Sequence, residues 1–200
     1  MSARAMQVGG IRAQRQGSTQ KDGVLQRLPN PPTLIEYKNL RFLIFDAPSD
    51  RTLDLYLTEL QKQSVTDVVR VCDPTYDKKV LQEHGITVHD WPFPDGDPPP
   101  TSIVTDFLNL VNTRFGNKDK KDGSVTEVNQ SDRPAIGVHC VAGLGRAPVL
   151  VTMALIEAGL SPLDAVIYVR ERRRGAINAR QLKFVESYKR RSRDKGCIIS

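Results

Sequence analysis

The spacing of hydrophobic and polar positions changes several times along the chain. From Thr33, "TLIEYKNLRFLIFDAP" alternates β-branched and aromatic residues with polar ones, which predicts two strands with Asn39 in the turn between them. "SDRTLDLYLTELQKQSV" moves to helical spacing: Leu53, Leu57 and Leu60 share a face, and Ser49 or Asp50 is the expected N-cap. "TDVVRVCD" reads as a short buried strand ending at Asp73, "YDKKVLQEHG" as a short helix stopped by Gly85, and "ITVHDWPF" as a strand entering the loop "PDGDPPP". "TSIVTDFLNLVNTRFG" is an amphipathic helix with Ile103, Phe107, Leu110 and Val111 on its apolar side, and "AIGVHC" is a buried strand. Three helices complete the chain. "APVLVTMALIEAG" has Pro148 in its first turn and Gly159 past its end; "SPLDAVIYVRERRRG" is capped by Ser161, begins with Pro162 and stops at Gly175; "NARQLKFVESYKRRSR" is capped by Asn178.

Strands alternate with helices from residue 65 onward, which predicts an α/β fold with a central, mainly parallel sheet flanked by helices on both faces. "PNPP", Pro29 to Pro32, opens the folded part. The expected domain is 29–188, carrying a polar insertion over 116–133 rich in Lys, Asp, Gly and Ser. Residues 1–28 are basic and sparse in apolar groups and read as a disordered extension without the apolar core of a secretory signal. Residues 189–200 form a polybasic tail, and no apolar run approaches the roughly 18 residues of a membrane span.

Charge sharpens this picture. The net charge is +6, but residues 170–200 contribute +8 and residues 1–28 contribute +4, leaving the middle at −6. Basic ends on an acidic body argue against a nucleic-acid binder and for an anionic surface as partner. Three cysteines, Cys72, Cys140 and Cys197, argue against a disulfide scaffold and for a reducing cytosol. His84, His89 and His139 are not spaced with them as metal ligands, so neither metal nor cofactor is implied.

The chemistry concentrates in "VHCVAGLGRAPVL", Val138 to Leu150, where a strand ends and a helix begins. Amides at a helix N-terminus lack partners and favour negative charge. Gly143 and Gly145 let the backbone bend so that amides converge, while Val141, Ala142 and Leu144 turn their side chains away. The product is a phosphate-sized cradle, Val141 to Arg146, with Cys140 at its floor. A thiol there, beside cations, is an activated nucleophile. Arg146 supplies a planar fork for two phosphate oxygens. The expected reaction is attack of Cys140 on a phosphate monoester through a phosphocysteine. His139 falls on the opposite side of the strand from Cys140 and is expected to shape the loop or fill the core.

The leaving oxygen needs a proton. "WPFPDGDPP" places Asp95 and Asp97 on a Gly/Pro-rich loop anchored by Trp91 and Phe93; Asp95 is the expected general acid, with Gly96 as its hinge, and Asp73 is the weaker alternative.

Together "VHCVAGLGRAPVL", "VRVCDPTYDKKVLQEHGITVHDWPFPDGDPPP", "RRRGAIN" and "CIIS" resemble the phosphatases of regenerating liver, prenylated members of the dual-specificity protein tyrosine phosphatases, from about Tyr37 to Ser200. The resemblance implies Cys140 as nucleophile, Arg146 as phosphate binder and Asp95 as acid. It also implies Cys72 as partner in a reversible disulfide with Cys140, although from sequence Cys72 reads as a small buried residue. It offers Gln181 as an aid in placing the hydrolytic water, although its helical position reads as exposed. The longer residues 1–28 and insertion depart from the family. So does Pro94, which replaces an aspartate and leaves Asp95 the only acid at that turn. Related tyrosine phosphatases place Ser or Thr after the arginine; Ala147, which the family shares, removes that hydroxyl and implies slow turnover. The loop's lack of lysine argues against a preference for polyphosphorylated lipids.

Cys197, Ile198, Ile199 and Ser200 read as a farnesylation box. Lys189, Arg190, Arg191, Arg193 and Lys195 add a second membrane signal at about 1 kcal/mol each. The expected location is the cytoplasm, peripheral on the cytosolic face of the plasma membrane or endosomes. The leading function is a membrane-associated, cysteine-dependent phosphatase acting on phosphoproteins. A second reading, implied by the resemblance, is a regulatory protein whose pocket grips a membrane magnesium transporter of the cyclin M type; the family also implies trimers. A rhodanese-like sulfur transferase shares a cysteine loop but does not account for Arg146 and Asp95.

Overall fold

The computed structural model describes residues 28, 30–116 and 133–191. Residues 1–27 of the extension, the insertion between Gly116 and Arg133, and the tail beyond Arg191 with Cys197 lie outside the described residues. The elements run β1 (Thr33–Tyr37), β2 (Leu40–Phe45), α1 (Leu53–Lys62), β3 (Val65–Arg70), α2 (Lys79–Glu83), β4 (Thr87–Asp90), α3 (Thr101–Phe115), β5 (Ala135–His139), α4 (Arg146–Glu157), α5 (Pro162–Arg172) and α6 (Ala179–Ser187).

The five strands form one sheet in the order β1-β2-β5-β3-β4. Only β1–β2 is antiparallel; β2–β5, β5–β3 and β3–β4 are parallel. The period of two along β2 explains the layers. Phe42 and Ile44 face a core shared with α3, α4, α5 and Val185 of α6, whereas Leu43 and Phe45 face a second core shared with α1 and α2. The expected mainly parallel sheet with helices on both faces is therefore the fold observed. Gly137, at the centre of β5, lets α1 lie close: a Cβ there would stand 3.1 Å from the Phe45 ring, 3.2 Å from Val68 and 3.4 Å from Leu60.

Several local expectations shift. Neither Ser49 nor Asp50 caps α1; Ser49 and Thr52 close a turn on each other, and Thr52 occupies the cap position. Asn39 does lie in the β1–β2 turn, as expected; Lys38 beside it adopts the left-handed conformation (φ 54°), and Asn39 donates to the carbonyl of Phe115. β4 ends at Asp90: Trp91 N–H still bonds Arg70 O, but Pro92 has no N–H to continue the ladder. The last helix stops at Ser187, because Tyr188 swings out and its hydroxyl donates to Glu157 at 2.6 Å. Ser161 and Asn178 do cap α5 and α6.

Asp67 of β3 is fully buried and pins α3 to the sheet: Arg114 donates to both its oxygens at 2.5 and 2.9 Å, and His89 lies 3.0 Å away. Burial alone would raise its pKa, but hydrogen bonds from His89, Arg114 and Thr66 outweigh that and hold the carboxyl well below its usual range.

Gly137→Val places a branched side chain between the sheet and α1 and is expected to destabilise the protein by about 1–3 kcal/mol. Urea denaturation measures this; an unchanged midpoint would show that α1 does not pack against β5 as closely as these distances require.

Candidate active site

Loop 140–145 joins the middle strand, β5, to α4, whose residues Arg146–Ile156 are all buried. Its carbonyls are tied down on one side. Ala47 N–H donates to Val141 O at 2.9 Å and Ile177 N–H to Leu144 O at 2.7 Å. The two carbonyls between them are taken by Arg173: Nε donates to Gly143 O at 2.6 Å and Nη2 to Ala142 O at 3.4 Å. In a planar trans peptide the N–H points opposite the preceding C=O. Fastening carbonyls 141–144 outward therefore turns the amides of residues 142–145 to the other side, beside the free first-turn amides of α4.

The loop's composition follows. Gly143 has φ 64°, and a Cβ there would collide with the carbonyl of Phe45 and the Arg173 guanidinium. Gly145 serves differently from the expected bend. Its φ is −112°, and what it supplies is space, since a Cβ would stand 3.2 Å from Gln181 Nε2. Val141, Ala142 and Leu144 point outward, Val141 being 58% and Leu144 38% exposed.

Cys140 lies at the base of this loop, 2% exposed. Arg146 is the first residue of α4, and its Nη1 donates to Val71 O at 3.1 Å and Phe93 O at 3.0 Å. Its Nε lies 3.2 Å from Asp95 Oδ1 and, although buried, has no hydrogen-bond partner among the described residues. Asp95 itself is 75% exposed, and Gly96 at φ 77° turns the chain there, its N–H donating to Asp95 Oδ1. Buried Phe93 and an Asp97–Arg180 ion pair at 2.6 Å anchor the acidic loop. The alternative acid, Asp73, is exposed beyond the end of β3.

Gln181 is not exposed, as its helical position suggested, but fully buried. Its Oε1 accepts from Asn178 N–H in a capping box, which directs Nε2 toward Gly145, where it too lacks a partner among the described residues. Arg173 was not singled out in the sequence. The only signal is its place in "RRRGAIN", where three consecutive arginines are indistinguishable without knowing which one faces inward.

His139 lies on the opposite side of the strand from Cys140, against the Phe45 and Tyr76 rings. Its Nδ1 is 3.3 Å from Cys140 O, which can only accept, so Nδ1 carries the proton and Nε2 accepts from the Tyr76 hydroxyl at 2.9 Å. Burial holds the ring neutral, lowering its pKa from 6.5 to about 4. Cys72 is 2% exposed, its sulfur 4.0 Å from His139 Nδ1. It leaves β3 next to the end of β5, where Arg70 pairs with His139. Both Cys72 and Cys140 are free thiols, and burial pushes the Cys72 thiol up.

Residues 50–188 match the family model for protein-tyrosine phosphatase. The chain is 50% identical over 177 residues to the probable protein tyrosine phosphatase type IVA A of Dictyostelium discoideum, covering 88% of this chain and 99% of that one. The chain belongs to the type IVA protein tyrosine phosphatases, the phosphatases of regenerating liver. Human protein tyrosine phosphatase type IVA 3 is 45% identical over 170 residues, 84% of this chain and 91% of that one. A putative protein tyrosine phosphatase from Leishmania major, solved as a structure, superposes with a TM-score of 0.68 at 45% identity, covering 80% of this chain and 99% of that one. Kinase associated phosphatase, at 18% identity and a TM-score of 0.59 over 80% of this chain and 94% of that one, shares the fold alone. The family inferred from the cysteine loop and "DWPF" is thus the family found, and the type IVA chain is a phosphatase. No helix among the described residues is long and apolar enough to cross a membrane.

The neutral His139 has a consequence in acid. The unfolded chain takes up a proton near pH 6.5, while the folded ring does so only near 4. This contribution to stability is complete above 6.5 and is lost as pH falls toward 4, on the order of 3 kcal/mol in all. Denaturant midpoints across this range should fall with acid in the native chain and less steeply in His139→Gln; parallel slopes would contradict the assignment.

Proposed function

We propose that this chain hydrolyses phosphotyrosine in protein substrates, with Cys140 as nucleophile, Arg146 as phosphate binder, Asp95 as general acid and the amides of Val141 to Arg146 as the phosphoryl cradle. The observation that carries this reading is a pair of buried donors flanking the same loop: Arg146 Nε, ion-paired with Asp95 Oδ1 at 3.2 Å but not hydrogen-bonded, and Gln181 Nε2, which has no hydrogen-bond partner among the described residues. Buried donors in native proteins find partners, and the oxygens of a phosphoryl group, or of the water that later attacks it, are acceptors of the right kind.

The Cys140 sulfur attacks phosphorus and the bond to the tyrosine oxygen breaks, that oxygen taking its proton from Asp95. Charge gathering on the equatorial oxygens is met by the loop amides and Arg146, which Val71 and Phe93 already hold in place. Water then attacks phosphorus and gives its proton back to Asp95, the sulfur–phosphorus bond breaks, and phosphate leaves. Gln181 Nε2, against Gly145, is suited to orient that water. Ala147 offers no hydroxyl to the departing sulfur, which makes this second step slow.

Three further features belong to the same reading. Cys72, beside Cys140, closes a disulfide when peroxide oxidises the Cys140 sulfur to a sulfenic acid, which the Cys72 sulfur attacks with loss of water. Cys197 carries a farnesyl group that, with the basic tail, holds the enzyme on an anionic membrane. The exposed Val141 and Leu144 on the rim favour a second role, in which a membrane magnesium transporter of the cyclin M type docks over the pocket.

With an aryl phosphate, the native chain should show a burst of phenol release followed by slow turnover. Ala147→Ser should raise the steady rate about tenfold, equivalent to about 1.4 kcal/mol, without enlarging the burst. Asp95→Asn should lower the burst rate by roughly 10²-fold or more, and Cys140→Ser should abolish it. A burst that survives Cys140→Ser, or turnover indifferent to Ala147→Ser, would overturn the scheme.

A further inference from the structure

Two carboxylates stand on the acidic loop, and the reaction uses one of them. Asp95 and Asp97 flank Gly96, and the Asp97 N–H donates to Pro94 O at 3.4 Å to close the turn that carries both. Their partners differ. Asp95 Oδ1 lies 3.2 Å from Arg146 Nε, whereas Asp97 Oδ1 lies 2.6 Å from the Arg180 guanidinium. Arg180 sits in the first turn of α6 beside Gln181, whose side chain is buried against Gly145. The cap of the same helix meets the apex of the acidic loop: a Cβ on Gly96 would stand 3.8 Å from Asn178 Nδ2. The turn that places Gln181 at the cysteine loop therefore also reaches the acidic loop.

These ties do not survive an incoming ester equally. Arg146 Nη1 already donates to Val71 O and Phe93 O, so a phosphoryl group takes the Nε side of the guanidinium, where Asp95 now lies. Asp95 must also be protonated to act as an acid, and a neutral carboxyl gives up its ion pair. Binding of the ester thus removes the contact that holds Asp95. Two anchors are left, one on each side of it: buried Phe93, two residues before, and Asp97 on Arg180, two residues after.

We infer that Arg180 and Asp97 clasp the acidic loop in its working position, so that Asp95 still delivers its proton once Arg146 has turned to the phosphoryl group. The inference rests on the role proposed above for Asp95. Arg180 and Asp97 are positioning residues, and neither touches the reacting atoms. An exposed ion pair shifts an equilibrium by up to about fivefold and is screened by salt; the clasp biases the loop without locking it.

The test is the first-turnover rate of the full-length chain on two esters. Phenyl phosphate expels an oxygen that needs a proton; 2,4-dinitrophenyl phosphate expels one that does not. Arg180→Gln and Asp97→Asn should each slow the first ester by about threefold and leave the second unchanged. The reversed pair, Asp97→Arg with Arg180→Asp, should restore the rate. The first turnover ends before water attacks, so an effect passed on to Gln181 does not enter it. Equal loss on both esters, no loss in either single variant, or a reversed pair no faster than the single variants would overturn the clasp. Hydrogen exchange gives a second reading without catalysis. Amides 95–97 should exchange about threefold faster in Arg180→Gln, and added salt should bring the native chain toward that rate while leaving the variant where it is; unchanged exchange would equally refute the clasp. Asp95→Asn on the same two esters judges the acid itself. A loss equal on both would sink the acid role, whereas a normal Asp95→Asn result beside a failed clasp would sink the clasp alone.

Discussion

The buried guanidinium of Arg173 and the carbonyls it grips depend on each other. A charge taken out of water is tolerated only where its donors are consumed, and Arg173, 7% exposed, spends its own on Ala142, Gly143, Ile44 and Thr33. Each hydrogen bond to a charged group contributes about 1.5–3 kcal/mol. The loop in turn needs the arginine, because free carbonyls could rotate inward and present oxygen to an anion. Gly143 is the residue this contact demands, since any side chain at that position would fill the place of the guanidinium and of the Phe45 carbonyl. Loop, arginine and glycine therefore form one unit, and the orientation of the amides follows from it.

The rest of the fold supports that unit. β2 brings Ala47 and Ile44 to the loop from one side, and β3 brings Val71 and Cys72 from the other. β5 lies between them, so the cysteine emerges where three strands end together. α4 is buried along nearly its whole length, which fixes the axis on which Arg146 is mounted. The acidic loop joins this frame through buried Phe93, Arg146 and the Asp97–Arg180 ion pair, leaving Asp95 in solvent with one carboxylate oxygen 3.2 Å from Arg146 Nε.

Much of this was legible in the residues. β-branched and aromatic residues in "TLIEYKNLRFLIF" mark two strands, the second buried on both faces, and helical spacing in "TSIVTDFLNLVNTRFG" marks a helix that buries one face. "VHCVAGLGRAPVL" marks the site because no ordinary turn requires that combination. What escaped are contacts whose partners are far away in sequence. Asp67 meets Arg114 across 47 positions, and neither residue signals the other. Arg173 stands in a run of three arginines, and only the tertiary fold selects it. Gln181 was read as exposed because α6 looked like a surface helix; its first turn in fact lies against Gly145, where the capping box directs the amide inward. The expected caps at Ser49 or Asp50 failed for a local reason, because Ser49 and Thr52 satisfy each other one turn earlier than periodicity alone can show.

The most direct measurement is a crystal structure of the Cys140→Ser chain grown with tungstate. The tungstate oxygens should lie about 2.7–3.1 Å from the amides of residues 142–145 and from Arg146 Nε, with the carbonyls of Ala142 and Gly143 still on Arg173. A tungstate bound elsewhere, or a loop with those carbonyls turned toward the anion, would contradict the arrangement described for this site.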